Sequence, residues 1–182
     1  MNSKTKLLVI TLVLGVLLAA GAIFYGILGD GNSNDVVPGT GKGSAADFMV
    51  LSTDGKAVHL SDFKGKPTVI NFWATWCGYC KMEMPAFEAL YKEHGDKVNF
   101  MMVDLTDGVQ ETEQMARDYI KSQNYTFPVY FDTTLQAKQA YQANSIPLTV
   151  FVDEKGILYQ KHAGAMNEAT LRNYIENLLG GK

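Results

Sequence analysis

Apolar and polar positions divide this chain into an uncharged apolar run, a glycine-rich stretch and a long segment of mixed pattern. The run covers residues 7–28, and its 22 uncharged residues would span the ~30 Å hydrocarbon layer of a bilayer as a helix. Two lysines precede the run and two aspartates follow it, which places the N-terminus in the cytoplasm by the positive-inside rule. We therefore expect a transmembrane signal-anchor over residues 1–29. A cleaved signal peptide is the alternative, since Ala20-Gly21-Ala22 is typical of a cleavage site, but the apolar run continues beyond it.

Residues 30–46 contain four glycines and few large apolar side chains. Such a composition is typical of a flexible linker. An anchor and a linker would place the remaining segment, residues 47–182, outside the cytoplasm, where thiols tend to be oxidised. We expect that segment to form one domain.

Within residues 47–182, short apolar runs alternate with segments in which apolar residues recur at helical spacing. The expected strands cover residues 48–51, 57–60, 67–73, 98–103, 127–131, 148–153 and 156–161. The expected helices cover residues 77–94, 111–122, 135–141 and 167–179. In the second helix, Met115, Tyr119 and Ile120 are expected to face the core. Strands and helices that alternate early, followed by a late hairpin, predict a mixed sheet with helices on both faces.

Composition and charge exclude several classes of function. A formal net charge of −3 and the presence of only two arginines give no basis for nucleic-acid binding. No stretch repeats at a fixed period, which excludes solenoids and propellers.

The chemistry of the chain centres on its two cysteines, Cys77 and Cys80, in the stretch WCGYC between an expected strand and an expected helix. A structural zinc site usually needs four ligands, and the three histidines are scattered along the sequence. A c-type haem site needs a histidine where Lys81 stands. A purely structural disulfide would close a very short loop and stabilise the fold little. A redox pair has a physical basis, because a helix N-terminus favours the thiolate that attacks a disulfide.

Several further motifs occur in order along residues 47–180, and together they resemble the membrane-anchored TlpA/ResA type of thiol-disulfide oxidoreductase. They are Asp47-Phe48, the turn at Asp54-Gly55, LSDFKGK at 60–66, VINFWATWC at 69–77, KMEMP at 81–85 and Ser145-Ile146-Pro147. The resemblance implies an α/β thioredoxin fold, in which a mixed central sheet is flanked by helices. It also implies an N-terminal β-hairpin, an inserted strand and helix at about residues 104–131 and a single transmembrane helix before the domain.

The resemblance assigns roles to individual residues. Cys77 is the attacking thiol and Cys80 the resolving thiol. Pro147 is expected to form a cis peptide bond and to pack against the cysteine pair. The backbone at Ile146 is expected to pair with a substrate chain, and Trp76 to provide contact surface beside the cysteines.

Glu83 matches an acidic residue that ResA-like proteins keep near their cysteines. Its spacing of three residues from Cys80 puts both side chains on one helix face, so we expect it to assist proton transfer. A glutamate that interacts only with the helix dipole is the alternative. Asn71 stands where thioredoxins proper carry a buried aspartate, so that proton acceptor is absent.

The leading hypothesis is an extracytoplasmic reductase of disulfides in exported proteins, such as apocytochrome c, with no metal or cofactor beyond the cysteine pair. Its electrons are expected from a membrane thiol transporter of the CcdA or DsbD kind. Gly78-Tyr79 differs from the proline-containing dipeptides of strongly reducing members, so a disulfide oxidase or isomerase is an alternative. A Cu(I) carrier using Met82 and Met84 is another, although helical spacing points these side chains apart. The arginine and the Thr-x-x-Cys arrangement of a peroxiredoxin are not apparent.

Overall fold

The computed structural model describes residues 43–180. The expected anchor over residues 1–29, and residues 30–42 of the expected linker, lie outside that range. Within it, no helix combines the length and the apolar character that crossing a bilayer requires.

Seven strands and four α-helices follow one another along the described residues. The strands are β1 (Met49–Ser52), β2 (Ala57–His59), β3 (Thr68–Trp73), β4 (Asn99–Asp104), β5 (Val129–Phe131), β6 (Leu148–Val152) and β7 (Leu158–Ala163). The helices are α1 (Gly78–His94), α2 (Glu113–Gln123), α3 (Gln136–Tyr141) and α4 (Glu168–Leu179), and a 3₁₀ helix covers Leu60–Phe63. Each strand and α-helix begins and ends within two residues of the expected bounds, because the apolar periodicity that predicted them also defines what the fold buries.

These strands form one sheet in the order β2-β1-β5-β4-β3-β6-β7. β3 runs parallel to β4 and β4 parallel to β5, whereas the remaining neighbours pair in antiparallel fashion. All six residues of β3 are buried, as a strand with neighbours on both edges and helices over both faces requires. The expected mixed sheet is therefore confirmed.

Side chains of β3 alternate between two cores. Val69 and Trp73 belong to a core that includes α1 and α4, and Ile70 and Phe72 belong to a core that includes α3. Helices thus cover both faces of the sheet. β3 leads directly through a short turn into α1, so the cysteines at the start of α1 lie at one end of the central strand.

The N-terminal hairpin and the expected insertion are both present. β1 and β2 pair around Asp54-Gly55, where Gly55 has a φ of 79° that favours glycine. α2 and β5 lie between β4 and α3, inside the expected residues 104–131. Since β5 pairs with both β4 and β1, the insertion joins the hairpin to the central sheet.

One residue that was expected in the core is exposed. Met115 is 43% exposed, and Ala116 takes the buried position instead. The start of α2 explains the difference, because Thr112 is the N-cap and its side chain accepts a hydrogen bond from Met115 N. The inward stripe therefore follows Ala116, Tyr119 and Ile120, at spacings of three and four residues.

Candidate active site

Cys77 and Cys80 form a disulfide at the N-terminus of α1. Cys77 is the N-cap residue, and its Sγ accepts a hydrogen bond from Cys80 N at 3.1 Å. In the preceding turn, Cys77 N donates to Ala74 O at 3.1 Å. The turn after β3 therefore brings Cys77 to a helix terminus, where backbone N–H groups and the helix dipole favour a negatively charged sulfur.

The two cysteines differ in accessibility, since Cys77 is 5% exposed and Cys80 is fully buried. Three apolar side chains next to them in the sequence, which we call the apolar rim, are exposed: Trp76, Tyr79 and Met82, at 49%, 68% and 72%. A disulfide that approaches from solvent can reach Cys77 more readily than Cys80, and it meets apolar surface there.

The loop before β6 lies against Cys77. The Ile146–Pro147 peptide bond is cis, as expected. Ile146 O lies 3.7 Å from Cys77 Sγ, and Pro147 is buried whereas Ile146 is half-buried. The fold thus brings this dipeptide to Cys77 across a long sequence separation, although the contacts of Ile146 and Trp76 with a substrate stay predictions.

Glu83 lies one helical turn after Cys80 and is 2% exposed. Its Oε1 accepts a hydrogen bond from Asn71 Nδ2 at 2.7 Å, and its Oε2 accepts one from Met166 N at 2.9 Å. Asn71 Nδ2 also donates to Thr149 Oγ1 at 3.0 Å. The carboxyl group is therefore held by Asn71 on β3 and by Met166 in the loop before α4. Asn71 is in turn bound to Thr149 on β6.

Burial raises the pKa of Glu83 to about 7, against the opposite effect of the hydrogen bonds from Met166 and Asn71. A carboxyl group with this pKa is present in both protonation states near neutral pH. It can accept a proton from a neighbouring group and return it, which is the requirement for general acid–base chemistry. These features distinguish Glu83 from a solvated glutamate near the start of a helix.

Sequence reasoning missed several members of this site. Asn71 was interpreted only as a missing acid, whereas its amide binds Glu83. Thr149 reaches Asn71 because the two are direct partners in the β3–β6 pairing, and no sequence signal indicated Met166. Tyr79 and Met82 were detectable, since apolar residues three apart in the first turns of α1 share an outer face.

The soft side chains of Met82 and Met84 point in different directions. Met82 is exposed, whereas Met84 is fully buried in the core beneath α1. In the part of the chain that the structure describes, no group of three or more His, Cys, Asp or Glu side chains is arranged to hold a metal ion. Met82 and Met84 therefore do not converge on a common position beside the cysteines.

Comparison with known proteins places this site in a family. The AhpC/TSA family model matches residues 42–161, which is more than half of the chain. The chain belongs to the AhpC/TSA family. The thiol-disulfide oxidoreductase ResA of Bacillus subtilis (strain 168) is 31% identical over 185 residues, covering 100% of this chain and 98% of that protein. The thioredoxin-like protein YneN of the same organism is 35% identical over 132 residues, covering 72% of this chain and 76% of that protein.

A solved structure of similar fold supports the same conclusion. The crystal structure of StoA from Bacillus subtilis matches with a TM-score of 0.63 and 29% sequence identity, over 74% of this chain and 99% of that one. The thioredoxin-like α/β fold and the resemblance to ResA are therefore confirmed. The chain is a thiol-disulfide oxidoreductase that carries Cys77 and Cys80 at CxxC spacing.

Proposed function

We propose that this oxidoreductase acts outside the cytoplasm as a reductase of disulfides in exported proteins, apocytochrome c among them. It uses no further cofactor, because the Cys77–Cys80 dithiol itself carries the electrons. The observation that carries the proposal is the placement of Cys77, which keeps a small exposed surface, at a helix terminus, with Cys80 and Glu83 buried behind it.

The reaction proceeds by two exchanges of a sulfur–sulfur bond. The Cys77 thiolate attacks one sulfur of the substrate disulfide, which forms a mixed disulfide and releases the other substrate sulfur as a thiolate that takes up a proton. Cys80 then loses its proton and attacks Cys77 Sγ. This step forms the Cys77–Cys80 bond and releases the second substrate thiol, so the dithiol is oxidised and the substrate reduced.

Glu83 is the proposed acceptor of the Cys80 proton in the second exchange. Cys80 is fully buried, so bulk water has poor access to its thiol. Glu83 shares a helix face with Cys80, is itself buried and has a pKa raised to about 7 by that burial. Because Glu83 becomes neutral when it takes this proton, the thiolate of Cys80 and a charged carboxylate are not buried side by side.

The apolar rim and the loop before β6 form the proposed substrate surface. Trp76, Tyr79 and Met82 offer contact to apolar side chains that flank the substrate cysteine. The backbone of Ile146, beside Cys77, is placed to pair with an extended substrate segment. Together they suit an unfolded or extended chain more than a small thiol.

A membrane thiol transporter of the CcdA or DsbD kind is the proposed electron donor, and residues 1–29 are the proposed anchor. The uncharged run of residues 7–28 supports the anchor, and the alignment with ResA extends over this segment as well. An anchored domain stays at high effective concentration near a membrane donor.

The reduction potential of the Cys77–Cys80 pair tests the direction of electron flow. We expect a value nearer to the roughly −270 mV of thioredoxin than to the roughly −120 mV of a strong oxidase. In cells the pair should be largely reduced, and it should become oxidised when the donor is deleted. A potential above about −160 mV, with an oxidised pair in wild-type cells, would overturn the reductase assignment in favour of an oxidase or isomerase.

Fractionation tests the location independently of the chemistry. Full-length protein should remain in the membrane after carbonate washing. The domain should be protected from added protease in intact cells, and it should be digested once the cell wall or outer membrane no longer shields it. Recovery of a soluble chain that begins near Ile23 would instead establish a cleaved signal peptide.

A further inference from the structure

Two buried acids that the reaction above does not use lie close to the cysteine turn. Asp104 is the last residue of β4 and Glu111 precedes α2, and both are fully buried. Their side chains are close enough to hydrogen-bond to each other. Among residues 43–180, no lysine, arginine or histidine forms an ion pair with either carboxyl group.

The four carboxyl oxygens of this pair have distinct surroundings. Asp104 Oδ1 accepts a hydrogen bond from Thr106 Oγ1 at 2.5 Å. Glu111 Oε2 accepts two, from Thr75 N at 2.9 Å and from Thr75 Oγ1 at 2.7 Å. Asp104 Oδ2 and Glu111 Oε1 are buried, and neither has a hydrogen-bond donor among the described residues. Two facing carboxylates without a cation or a donor would repel each other strongly in the interior.

We propose that Asp104 and Glu111 share one proton between Asp104 Oδ2 and Glu111 Oε1, and that this bond makes Glu111 a positioning residue for the turn that carries Cys77. The proton belongs mainly to Asp104, because Glu111 Oε2 already accepts two hydrogen bonds, which favour the ionised form of Glu111.

The link from Glu111 to Cys77 runs through Thr75. Glu111 binds both the backbone N–H and the hydroxyl group of Thr75, and Cys77 N donates to Ala74 O in the same turn. Trp76 of the apolar rim lies between Thr75 and Cys77. The orientation of the attacking sulfur and of its flanking contact surface therefore depends on where Glu111 is held.

The loop of Glu111 is itself well ordered by a third acid. Asp107 Oδ1 accepts hydrogen bonds from the N–H groups of Val109, Gln110 and Glu111, at 2.8, 2.7 and 2.9 Å. Gly108 N also donates to Glu111 O at 2.9 Å, so the backbone on which Glu111 lies is held by several hydrogen bonds within the loop.

Charged groups on the surrounding elements do not neutralise the pair. Burial raises the pKa of Asp104 to about 8, and the negative charges of Glu111 and Asp107 add to that effect. Asp132 at the end of β5 donates its backbone N–H to Asp104 O, and its own carboxylate accepts N–H groups at the start of α3. Cations on the neighbouring elements interact with other groups. Arg117 on α2 pairs with Glu113 and lies 4.7 Å from the ring centroid of Phe131, and Lys81 lies 5.8 Å from the ring centroid of Tyr119. Lys138 adds to the backbone hydrogen bonds that lower the pKa of Asp107.

Carbon-13 NMR of the side-chain carboxyl groups in the full-length protein tests the shared proton directly. In the wild type, the carboxyl carbon of Asp104 should titrate at a pH well above that of an ordinary aspartate. Asp104→Asn should remove this titration, because the asparagine amide can donate a hydrogen bond to Glu111 Oε1 without itself titrating. Two carboxyl groups that are both ionised at about pH 6 would overturn the proposal.

Exchange kinetics test the positioning role. Glu111→Ala should lower the rate constant for disulfide exchange about tenfold or more, since small displacements of a reacting group are costly. Glu111→Gln should recover much of this loss, because its amide oxygen can bind Thr75 and its amide nitrogen can donate to Asp104. Asp118→Asn on the exposed face of α2 is the matched control and should leave the rate unchanged.

Thr75→Val provides a second, conservative variant in case Glu111→Ala does not fold. If Glu111 acts through Thr75, Thr75→Val should itself lower the exchange rate, and the effect of Glu111→Ala should shrink in the Thr75→Val background, as a double-mutant cycle measures. Additive effects in that cycle, or wild-type rates for both Glu111 variants, would contradict the positioning role. The inference requires only exchange at Cys77 in either direction, so an oxidase-like potential would refute the reductase proposal and leave this one standing.

Discussion

Asn71 Nδ2 donates a hydrogen bond to Glu83 Oε1 across 2.7 Å in the interior of the domain. Asn71 lies on β3 and Glu83 on α1, so the bond joins the central strand to the helix that carries both cysteines. The amide favours the ionised carboxylate, yet burial still raises the pKa of Glu83 to about 7. The contact therefore holds the carboxyl group in place while leaving it able to titrate near neutral pH.

Glu83→Gln should slow disulfide exchange, because glutamine matches glutamate in size but cannot take up and release a proton. We expect a loss on the order of tenfold or more, and the inflection of the rate near pH 7 should disappear. Stopped-flow kinetics from pH 5 to 9 measure both effects. Glu93→Gln, the same change at an exposed position of the same helix, is the control. An unchanged pH profile for Glu83→Gln would leave Glu83 as a helix-dipole residue only.

Glu83 should also make the stability of the domain depend on pH. In the unfolded chain its carboxyl group loses a proton near pH 4.5, whereas in the fold it keeps the proton up to about pH 7. The free energy of unfolding should therefore fall as pH rises through this window. At about 1.4 kcal/mol for each pH unit, the share of Glu83 approaches roughly 3 kcal/mol. Urea unfolding of wild type and Glu83→Gln at about pH 5 and about pH 8 measures it, and identical pH dependence in the two proteins would refute the raised pKa.

Asn71→Asp should move the activity profile to higher pH. The change puts a second carboxyl group within hydrogen-bonding distance of Glu83, and two such groups in the interior share a proton. The last proton should therefore leave the pair at a pH above 7, and the inflection of the exchange rate should shift accordingly. Exchange kinetics across the same pH range provide the measurement. An inflection that stays where it is in the wild type would show that Asn71 does not influence the titrating group.

Cys80→Ser should trap a mixed disulfide between Cys77 and a protein substrate, whereas Cys77→Ser should trap none. The reason is the difference in access, since Cys77 reaches solvent at a helix terminus and Cys80 is fully buried. Non-reducing electrophoresis detects the trapped species. In the reduced wild type, iodoacetamide should modify Cys77 first. Faster modification of Cys80 would reverse the two roles.

The order and bounds of the elements were predictable because each depends on a local pattern. The short, largely apolar run of β3 with its β-branched residues predicted a buried strand, and Asn167 at the start of α4 caps the expected helix by accepting a hydrogen bond from Thr170 N. Met115 shows where the pattern fails, since an apolar residue in the first turn of a helix can lie on its exposed face while its neighbour Ala116 is buried. The anchor over residues 1–29 stays a prediction.

The sequence by itself determined the cysteine pair, its place at a strand–helix junction and the spacing of Glu83 from Cys80, because each follows from neighbours along the chain. Only the tertiary structure decided that Asn71 and Met166 bind Glu83, and that Asp104 faces Glu111 behind Thr75. The pKa of a carboxyl group depends on burial and on donors that distant segments bring to it, and a linear pattern records neither. The redox-active residues of this site were therefore predictable from the sequence, whereas the pKa values of its carboxyl groups depend on tertiary packing.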